Sequence, residues 1–325
     1  MFEIVFLGTS AAAPSVKRSL SAHVVLYKEH RFLVDCGEGT QRQLLKSGLG
    51  FKRLNTVLLT HGHLDHILGL GGLLSTFMRW ETVERMDIYG GKATLDRVEA
   101  LVYGVVLRGA KPAIPLALID VEPGVLLEDD RFELVAFPVA HRSADCFGYL
   151  FREKSRRSFL TERAEALGVP FGPERKRLVA GEPVTLADGR VVQPDDVLGP
   201  PIPGTVLAHV GDSGRTANLV EHVRGADALV IESTYLEAEA DLARAYDHLT
   251  AAQAARLARE AGVGQLILTH ISRRYSHKQV LAEAQAIFPD TVVARDFDRY
   301  RIQKDKTVLV VEPVLEEEGD WNVAA

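Results

Sequence analysis

A run of six residues, His61-Gly62-His63-Leu64-Asp65-His66, carries three imidazoles and one carboxylate. His and Asp side chains are among the ligands that zinc prefers in proteins. Only 11 of the 325 residues are histidine, so three within six positions indicate a metal site rather than an ordinary polar loop. The run follows an apolar, strand-like segment and precedes a helix-like segment, and α/β proteins usually place ligand sites at such junctions.

Three further candidate ligands follow later segments that are predicted to be strands. They are His141, Asp212 and His270. A zinc ion takes three protein ligands in a catalytic site and four in a structural one, so seven candidates suit two ions better than one. Asp212 is the natural bridge between the ions, because a carboxylate offers two oxygens. The pattern therefore predicts a dinuclear site that activates water for a displacement at phosphorus.

A second acidic motif lies upstream, in Asp35-Cys36-Gly37-Glu38-Gly39-Thr40. Histidines that bind metals commonly donate their other ring N–H to a carboxylate. Asp35 and Glu38 are therefore candidates to orient the ligands.

Alternating strand and helix patterns fill most of the chain. Two similar halves of this kind predict an α/β fold in which two sheets pack face to face with helices outside. An Ala-rich helix is predicted over Ala251–Ala261, with Thr250 or Asp247 as its N-cap, and a helix-rich stretch is predicted from 67 to about 108. The predicted strands are 3–7, 23–27, 32–35, 56–60, 131–139, 146–151, 206–210, 228–231, 265–268 and 307–311.

The composition is that of an ordinary globular protein, with 46% hydrophobic and 25% charged residues. A net charge of −6 argues against a uniformly basic nucleic-acid binder but not against a local basic patch. With two cysteines, no basic leader and no apolar run long enough for a bilayer, we expect a cytoplasmic protein without membrane contact. We expect a single domain over 1–325, with a peripheral C-terminal tail at about 304–325.

Residues 152–203 differ from the rest of the chain. Residues 152–177 hold eight cations and four acids, so this stretch is locally basic. Phe159 and Phe171 lie between the charges, and Gly-Pro pairs recur. We expect a flexible basic arm inserted between two strands, without a core of its own. An arm of this composition favours a polyanionic partner over a purely solvated surface loop.

Together these motifs resemble the metallo-β-lactamase superfamily, and within it the short form of the ribonuclease Z family. The resemblance spans residues 1 to about 300. The His61–His66 run, with His141, Asp212 and His270, indicates the superfamily. The motifs that indicate ribonuclease Z are Phe6-Leu7-Gly8-Thr9-Ser10 with Pro14 and Arg18, Asp35 to Gln41, the Gly172-Pro173 arm, Glu232-Ser233-Thr234, His248-Leu249-Thr250 and His270-Ile271-Ser272-Arg273-Arg274-Tyr275.

The resemblance implies an αββα four-layer sandwich with two Zn²⁺ ions per subunit. It assigns His61, His63 and His141 to one ion and Asp65, His66 and His270 to the other, with Asp212 as the bridge. It also implies that Asp65 accepts a proton from the attacking water. His248, oriented by Glu232, would protonate the leaving oxygen, and such a general acid is chemically sensible for a departing alkoxide.

The resemblance further implies a homodimer in which the arm of one subunit grips the precursor tRNA bound by the other. The implied substrate contacts are Lys17, Arg18, Gly172, Pro173, Arg175, Lys176, Ser272 and Arg274. The loop Pro14-Ser15-Val16-Lys17-Arg18-Ser19 departs from the family's usual Pro-x-Lys-x-Arg-Asn, because the lysine stands one position later and serine replaces asparagine.

The leading hypothesis is a zinc-dependent endoribonuclease that removes the 3′ trailer of precursor tRNA by attack of a metal-bound hydroxide, leaving a 3′-hydroxyl on the tRNA. One alternative is a phosphodiesterase or other small-molecule hydrolase of the same fold, which has no use for a basic arm. A second alternative is a non-catalytic RNA-binding protein with structural zinc.

Overall fold

The computed structural model describes residues 1–80, 83–142, 145–304 and 309–311. These residues form two compact units. The larger contains Met1–Asp129, Glu133–Arg152 and the chain from Thr205 onward, and the smaller contains Asp130–Phe132 and Glu153–Gly204. The smaller unit covers nearly the same residues as the expected arm. Of the expected C-terminal tail, residues 305–308 and 312–325 lie outside the described part.

The first sheet of the larger unit has eight strands. They are β1 (Glu3–Gly8), β2 (Ala22–Tyr27), β3 (His30–Val34), β4 (Thr56–Leu58), β5 (Met86–Gly90), β6 (Leu116–Asp120), β18 (Arg299–Arg301) and β19 (Leu309–Val311). Their order is β19-β18-β1-β2-β3-β4-β5-β6. Strands β3 to β6 run parallel, so their carboxyl ends lie at one edge of the sheet.

The second sheet has seven strands, in the order β17-β16-β15-β14-β9-β8-β7. They are β7 (Gly124–Glu128), β8 (Phe132–Val139), β9 (Cys146–Glu153), β14 (Val206–His209), β15 (Ala228–Glu232), β16 (Gln265–Thr269) and β17 (Thr291–Val293). Strands β14 to β17 run parallel, whereas β14 pairs antiparallel with β9. This arrangement brings the residues that follow β14, β15 and β16 to the same edge.

The inner faces of the two sheets pack against each other. The ring of Phe151 on β9 lies 5.9 Å from that of Phe2 and 5.5 Å from that of Phe32, between ring centroids. The hydroxyl of buried Tyr149 donates to the carbonyl oxygen of Leu59 at 2.6 Å. The two sheets are therefore the two inner layers of the predicted sandwich.

Helices cover both outer faces. Leu44, Leu73 and Val98 pack on buried side chains of the first sheet, and Val220, Leu257 and Val280 pack on those of the second. The αββα four-layer sandwich is therefore confirmed. The helices of the larger unit are α1 (Thr40–Lys46), α2 (Leu64–Ile67), α3 (Leu70–Trp80), α4 (Lys92–Glu99), a π-helical segment (Ala100–Val106), α8 (Val220–Val223), a 3-10 turn (Glu237–Glu239), α9 (Ala240–Ala245), α10 (Ala251–Ala261) and α11 (His277–Gln285).

The best-predicted helix is α10, which begins and ends where the sequence indicates. The Thr250 hydroxyl accepts from the backbone N–H of Gln253 at 3.1 Å, and the Gln253 side chain accepts from the N–H of Thr250 at 2.8 Å. Gly262, with φ of 64°, ends the helix in the left-handed conformation that favours glycine. The stretch from 67 to about 108 is rich in helix, as predicted, but it also contains β5, which was not predicted.

The smaller unit is built from short elements and has a small apolar core, so the expectation of an arm without a core of its own was wrong. Strand β10 pairs antiparallel with β13, and β11 with β12. The core consists of Ala164, Val169, Leu178, Val184, Val192, Val197 and Leu198. The elements are β10 (Arg156–Phe159), α5 (Thr161–Ala166), α6 (Pro173–Val179), β11 (Val184–Thr185), β12 (Val191–Val192), α7 (Pro194–Val197) and β13 (Leu198–Ile202).

Within the described residues, every helix is too short or too polar to cross a lipid bilayer.

Candidate metal and catalytic centre

The His61–His66 run joins the end of β4 to the start of α2. His63 keeps an extended backbone as the N-cap of α2, so its side chain precedes the helix while Asp65 and His66 lie on its first turn. Gly69 lets the chain pass close by afterwards, because a Cβ atom there would lie 2.0 Å from the carbonyl oxygen of Gly37. The tight approach fixes α2 against the turn that follows β3.

The remaining candidate ligands come from strand ends of the second sheet. His141 follows β8, Asp212 follows β14 and His270 follows β16. His270 has a φ of 55°, a left-handed conformation that is uncommon for a residue other than glycine. Such a conformation persists only where the surrounding structure holds it.

All seven predicted ligands meet at one place. The ligands form two groups, and within each group the potential ligand atoms lie within 4.8 Å of one another. The first group is His61, His63, His141 and Asp212, and the second is Asp65, His66 and His270. Oδ2 of Asp212 lies 3.7 Å from Nε2 of His61 and 3.5 Å from Nε2 of His66, so this carboxylate stands between the groups.

The polar atoms in this cluster favour metal binding. Among the described residues, Nε2 of His61 and Oδ1 of Asp212 are buried without a hydrogen-bond partner, which is costly unless a ligand occupies the space between them. Nε2 of His66 and Nε2 of His270 face each other at 3.3 Å. Burial lowers the pKa of His61, His63 and His141. Burial also acts to lower the pKa of His66, but the carboxylates of Asp212 and Asp35 outweigh it and raise that pKa well above its usual value. Neutral imidazoles are the form that binds metals, so the residues present fit divalent cations.

Neighbouring groups fix the orientation of the imidazoles. Nδ1 of His66 donates to Asp35 at 2.7 Å, and Asp35 accepts from the backbone N–H of Thr60 at 2.8 Å. Nδ1 of His141 donates to the carbonyl oxygen of Asp247 at 2.7 Å. Asp35 therefore lies where the sequence suggested. Glu38 does not, because its side chain is exposed to solvent.

Asp65 lies at the more open side of the cluster. Its Oδ2 accepts from the backbone N–H of Ala12 at 3.0 Å and lies 3.4 Å from Nε2 of His270. Burial raises the pKa of Asp65, but the hydrogen bond and positive charge of the neighbouring histidines lower it further, so the net pKa is below the usual value. An ionised carboxylate can bind a cation and accept a proton.

His248 and Glu232 form a pair beside Asp212. Nδ1 of His248 donates to Oε1 of Glu232 at 2.9 Å and lies 3.8 Å from Oδ2 of Asp212. Glu232 also accepts from the N–H of Ser213 at 2.8 Å and from the hydroxyl of Thr234 at 2.5 Å. Burial lowers the pKa of His248, but the Glu232 carboxylate outweighs it and raises the pKa to about 9. His248 therefore holds a proton at neutral pH.

Several of the predicted substrate contacts have internal partners. Nη1 of Arg18 donates to Thr9 at 2.5 Å and to the carbonyl oxygen of Ala294 at 2.7 Å, which ties the loop to the fold. Arg274 pairs with Glu239, and the Ser272 hydroxyl accepts from the N–H of Arg274 at 3.3 Å. Lys17 is exposed to solvent.

The four predicted substrate contacts of the arm belong to the smaller unit. Gly172 has a φ of 136° and precedes Pro173, the first residue of α6. The guanidinium of Arg175 lies 5.7 Å from the ring centroid of Phe159 and 5.4 Å from that of Phe171, and Lys176 is exposed.

The sequence analysis missed some groups that hold the centre in place. Nη1 of Arg97 donates to the carbonyl oxygen of Gly62 at 2.7 Å, within the ligand run. The Thr60 hydroxyl lies 3.0 Å from Nδ1 of His61. Arg97 lies on α4, 35 residues from Gly62, and no local pattern points to it, whereas Thr60 directly precedes the run.

The chain is similar to a family model, to bacterial relatives and to a solved structure. A family model described as "Anti-Pycsar protein Apyc1" matches residues 2–112. The chain is 51% identical over 302 residues to "Ribonuclease Z" of Bradyrhizobium sp. (strain ORS 278), covering 93% of this chain and 100% of that protein. It is 41% identical to "Ribonuclease Z" of Ligilactobacillus salivarius, covering 92% and 96%. The crystal structure of human tRNase Z, short form, matches with a TM-score of 0.65 at 26% identity, covering 93% and 99%.

Proposed function

This chain belongs to the ribonuclease Z family, and we propose that it cuts the 3′ trailer from precursor tRNA at the centre described above. The observation that carries the proposal is the convergence of seven His and Asp side chains in two groups, with Asp212 between the groups. The identity of 51% over nearly the whole chain supports the tRNA substrate.

The metal assignment follows the two groups of ligands. His61, His63 and His141 would hold one zinc ion, and Asp65, His66 and His270 would hold the other. Asp212 would bridge them, because its Oδ2 faces both groups. Two such ions would polarise the phosphodiester and supply a reactive water at neutral pH. Elemental analysis of the purified protein tests the count, and two zinc ions per chain are expected.

The proton transfers fall to two side chains. Asp65 is ionised and is fixed by the N–H of Ala12, so it accepts the proton of the attacking water. His248 carries a proton at neutral pH because Glu232 is its counter-charge. It donates that proton to the departing 3′ oxygen, which leaves the tRNA with a 3′-hydroxyl. General acids and bases of this kind contribute about 10²- to 10⁴-fold each.

The basic arm is proposed to bind the tRNA body. Residues 152–177 carry eight cations against four acids in a chain whose net charge is −6. Contacts to RNA phosphates would supply affinity and make it dependent on salt. Recognition by shape and backbone suits an RNA helix. The single-domain organisation, with the arm as an insertion, remains part of this proposal.

Two further features are proposed from the family and from the chemistry of the surface. A homodimer is supported by two exposed leucines, Leu64 at the start of α2 and Leu68 directly after its end; light scattering tests it. A cytoplasmic location is supported by Cys36 and Cys146, two buried free thiols of the kind found in reducing compartments. Fractionation of cells tests the location.

Deletion of residues 155–200 separates this function from that of a small-molecule hydrolase. The segment is flanked by β9 and β14, whose residues Arg152 and Val206 are paired, so a short loop can close the gap. The deletion should reduce pre-tRNA cleavage by a hundredfold or more while sparing hydrolysis of bis(p-nitrophenyl) phosphate. Full pre-tRNA cleavage by the shortened protein would refute the role of the arm.

A further inference from the structure

Phe171 is the most exposed aromatic side chain described in the arm. Its exposed fraction is 90%, and it directly precedes Gly172 and helix α6. Single exposed apolar residues are common on protein surfaces and often have no role. Phe171 differs from such residues because a partly buried cation lies within cation–π distance of its ring.

That cation is Arg175. Its guanidinium lies 5.4 Å from the ring centroid of Phe171 and 5.7 Å from that of Phe159, within cation–π range of both. The Arg175 side chain is only 16% exposed, and Nη2 donates to the carbonyl oxygen of Val169 at 3.2 Å. Phe159 packs against the small core of the arm. Arg175 therefore contacts both an aromatic ring that packs on the core of the arm and the exposed ring of Phe171.

The open ring has the chemistry of a stacking platform. A nucleobase on an aromatic ring gains affinity without sequence preference, since every base has a π-face. Lys176, the residue after Arg175, is exposed and can meet a phosphate of the same nucleotide chain. Inside an RNA helix each base is covered by its neighbours, so only a base in a loop or at the end of a stack presents a free face.

We propose that Phe171 stacks on an uncovered base of the precursor tRNA and that Arg175 is the positioning residue that holds its ring. The proposal rests on the proposed function and adds a specific residue to it. In this proposal the arm contacts one exposed base as well as backbone phosphates. A second copy of this chain would instead use Phe171 as an apolar contact, and the test below separates the two.

Four variants of the full chain test the proposal. Phe171→Ala and Phe171→Leu should each raise KM for pre-tRNA about fivefold to a hundredfold, the loss expected for one stacked base, and leave kcat unchanged. Phe171→Trp should restore the parent KM, because it keeps a stacking ring. Val191→Ala is the matched control, since Val191 is also an exposed apolar residue of the arm, and it should behave like the parent.

Direct stacking is measured by fluorescence. Phe171→Trp in an Asp65→Ala background, which should bind without turnover, is expected to lose emission when pre-tRNA is added. The Asp65→Ala protein alone provides the correction for the natural tryptophans. Parent-like KM for Phe171→Leu would indicate an apolar contact and overturn the proposal. The proposal would also be overturned if pre-tRNA left the emission of the Phe171→Trp protein unchanged and the KM of Phe171→Ala equalled that of the parent. If the parent fails to cut pre-tRNA, the proposed function fails, and the emission change still decides whether Phe171 stacks on the RNA.

Discussion

Glu232 is predicted to set the pH range in which the protein works. Its carboxylate is fully buried and accepts from Nδ1 of His248 at 2.9 Å. Burial alone would lower the pKa of His248, yet the charge and hydrogen bond of Glu232, together with the charge of Asp212, raise it to about 9. Glu232→Gln keeps the size of the side chain and removes the charge, so the largest cause that raises the pKa of His248 is lost and that pKa falls.

The expected size of the effect follows from that shift. A rise from 6.5 to about 9 corresponds to about 3 kcal/mol of preference for the protonated form. If the pKa returns to about 6.5, the protonated fraction at pH 8 drops from about nine-tenths to about one-thirtieth. The variant should therefore be about thirtyfold slower than the parent at pH 8 and nearly as fast at pH 6. The sign follows from the role of His248 as proton donor, because activity is lost as pH rises through its pKa.

Single-turnover cleavage of pre-tRNA between pH 6 and 9.5, with saturating metal, measures this directly. The ratio of parent to variant rates cancels the loss of metal that both share in acid. Glu133→Gln is the control, since Glu133 pairs with Arg152 at the far end of β8 from His141. His248→Ala should be slow over the whole neutral range with its metal retained. A parent-to-variant ratio that stays constant across this pH range would refute the reasoning, as would a parent-like rate for His248→Ala.

Two other substitutions probe the centre itself. Asp65→Ala removes the proposed base and a proposed metal ligand, so kcat should fall by about 10³-fold or more, while filter binding should show that tRNA is still bound; near-normal turnover would rule out the role of Asp65. Asp212→Asn keeps the shape of the side chain but removes the proposed bridging charge, so elemental analysis should find fewer than two metal ions per chain, and two retained ions would contradict the bridge.

The positions of the candidate ligands could be predicted from the sequence because the His61–His66 run, His141, Asp212 and His270 each lie within a few residues after the end of a strand. A strand end is recognisable locally, and parallel strands bring their carboxyl ends to one edge. His61, His141 and His270 are therefore placed without knowledge of the tertiary structure. Their roles as ligands remain predictions, as does the identity of the metal.

Contacts between distant segments could not be predicted in this way. The Arg97 bond to Gly62 and the His141 bond to the carbonyl of Asp247 depend on tertiary packing, and any residue can supply a backbone carbonyl. Arg18 was expected to face the RNA, yet its guanidinium bonds to Thr9 and Ala294 within the fold. The sequence identifies a cation but not which of several partners it will meet.

Short elements were also difficult to predict. Strand β5 has only five residues and includes Asp87, so its signal is weak between two long helical patterns. The core of the arm is built from single apolar residues on separate short elements, such as Leu178 and Val192. No periodicity connects such residues, and only the pairing of β10 with β13 and of β11 with β12 brings them together.

Cleavage of a 3′-extended precursor tRNA by the purified, zinc-loaded protein tests the central claim most directly. We expect one cut at the 3′ end of the acceptor stem, a tRNA product with a 3′-hydroxyl, loss of cleavage with a chelator and recovery when zinc is restored. An intact precursor, cleavage that persists in chelator, or a product ending in a 3′-phosphate would contradict the account.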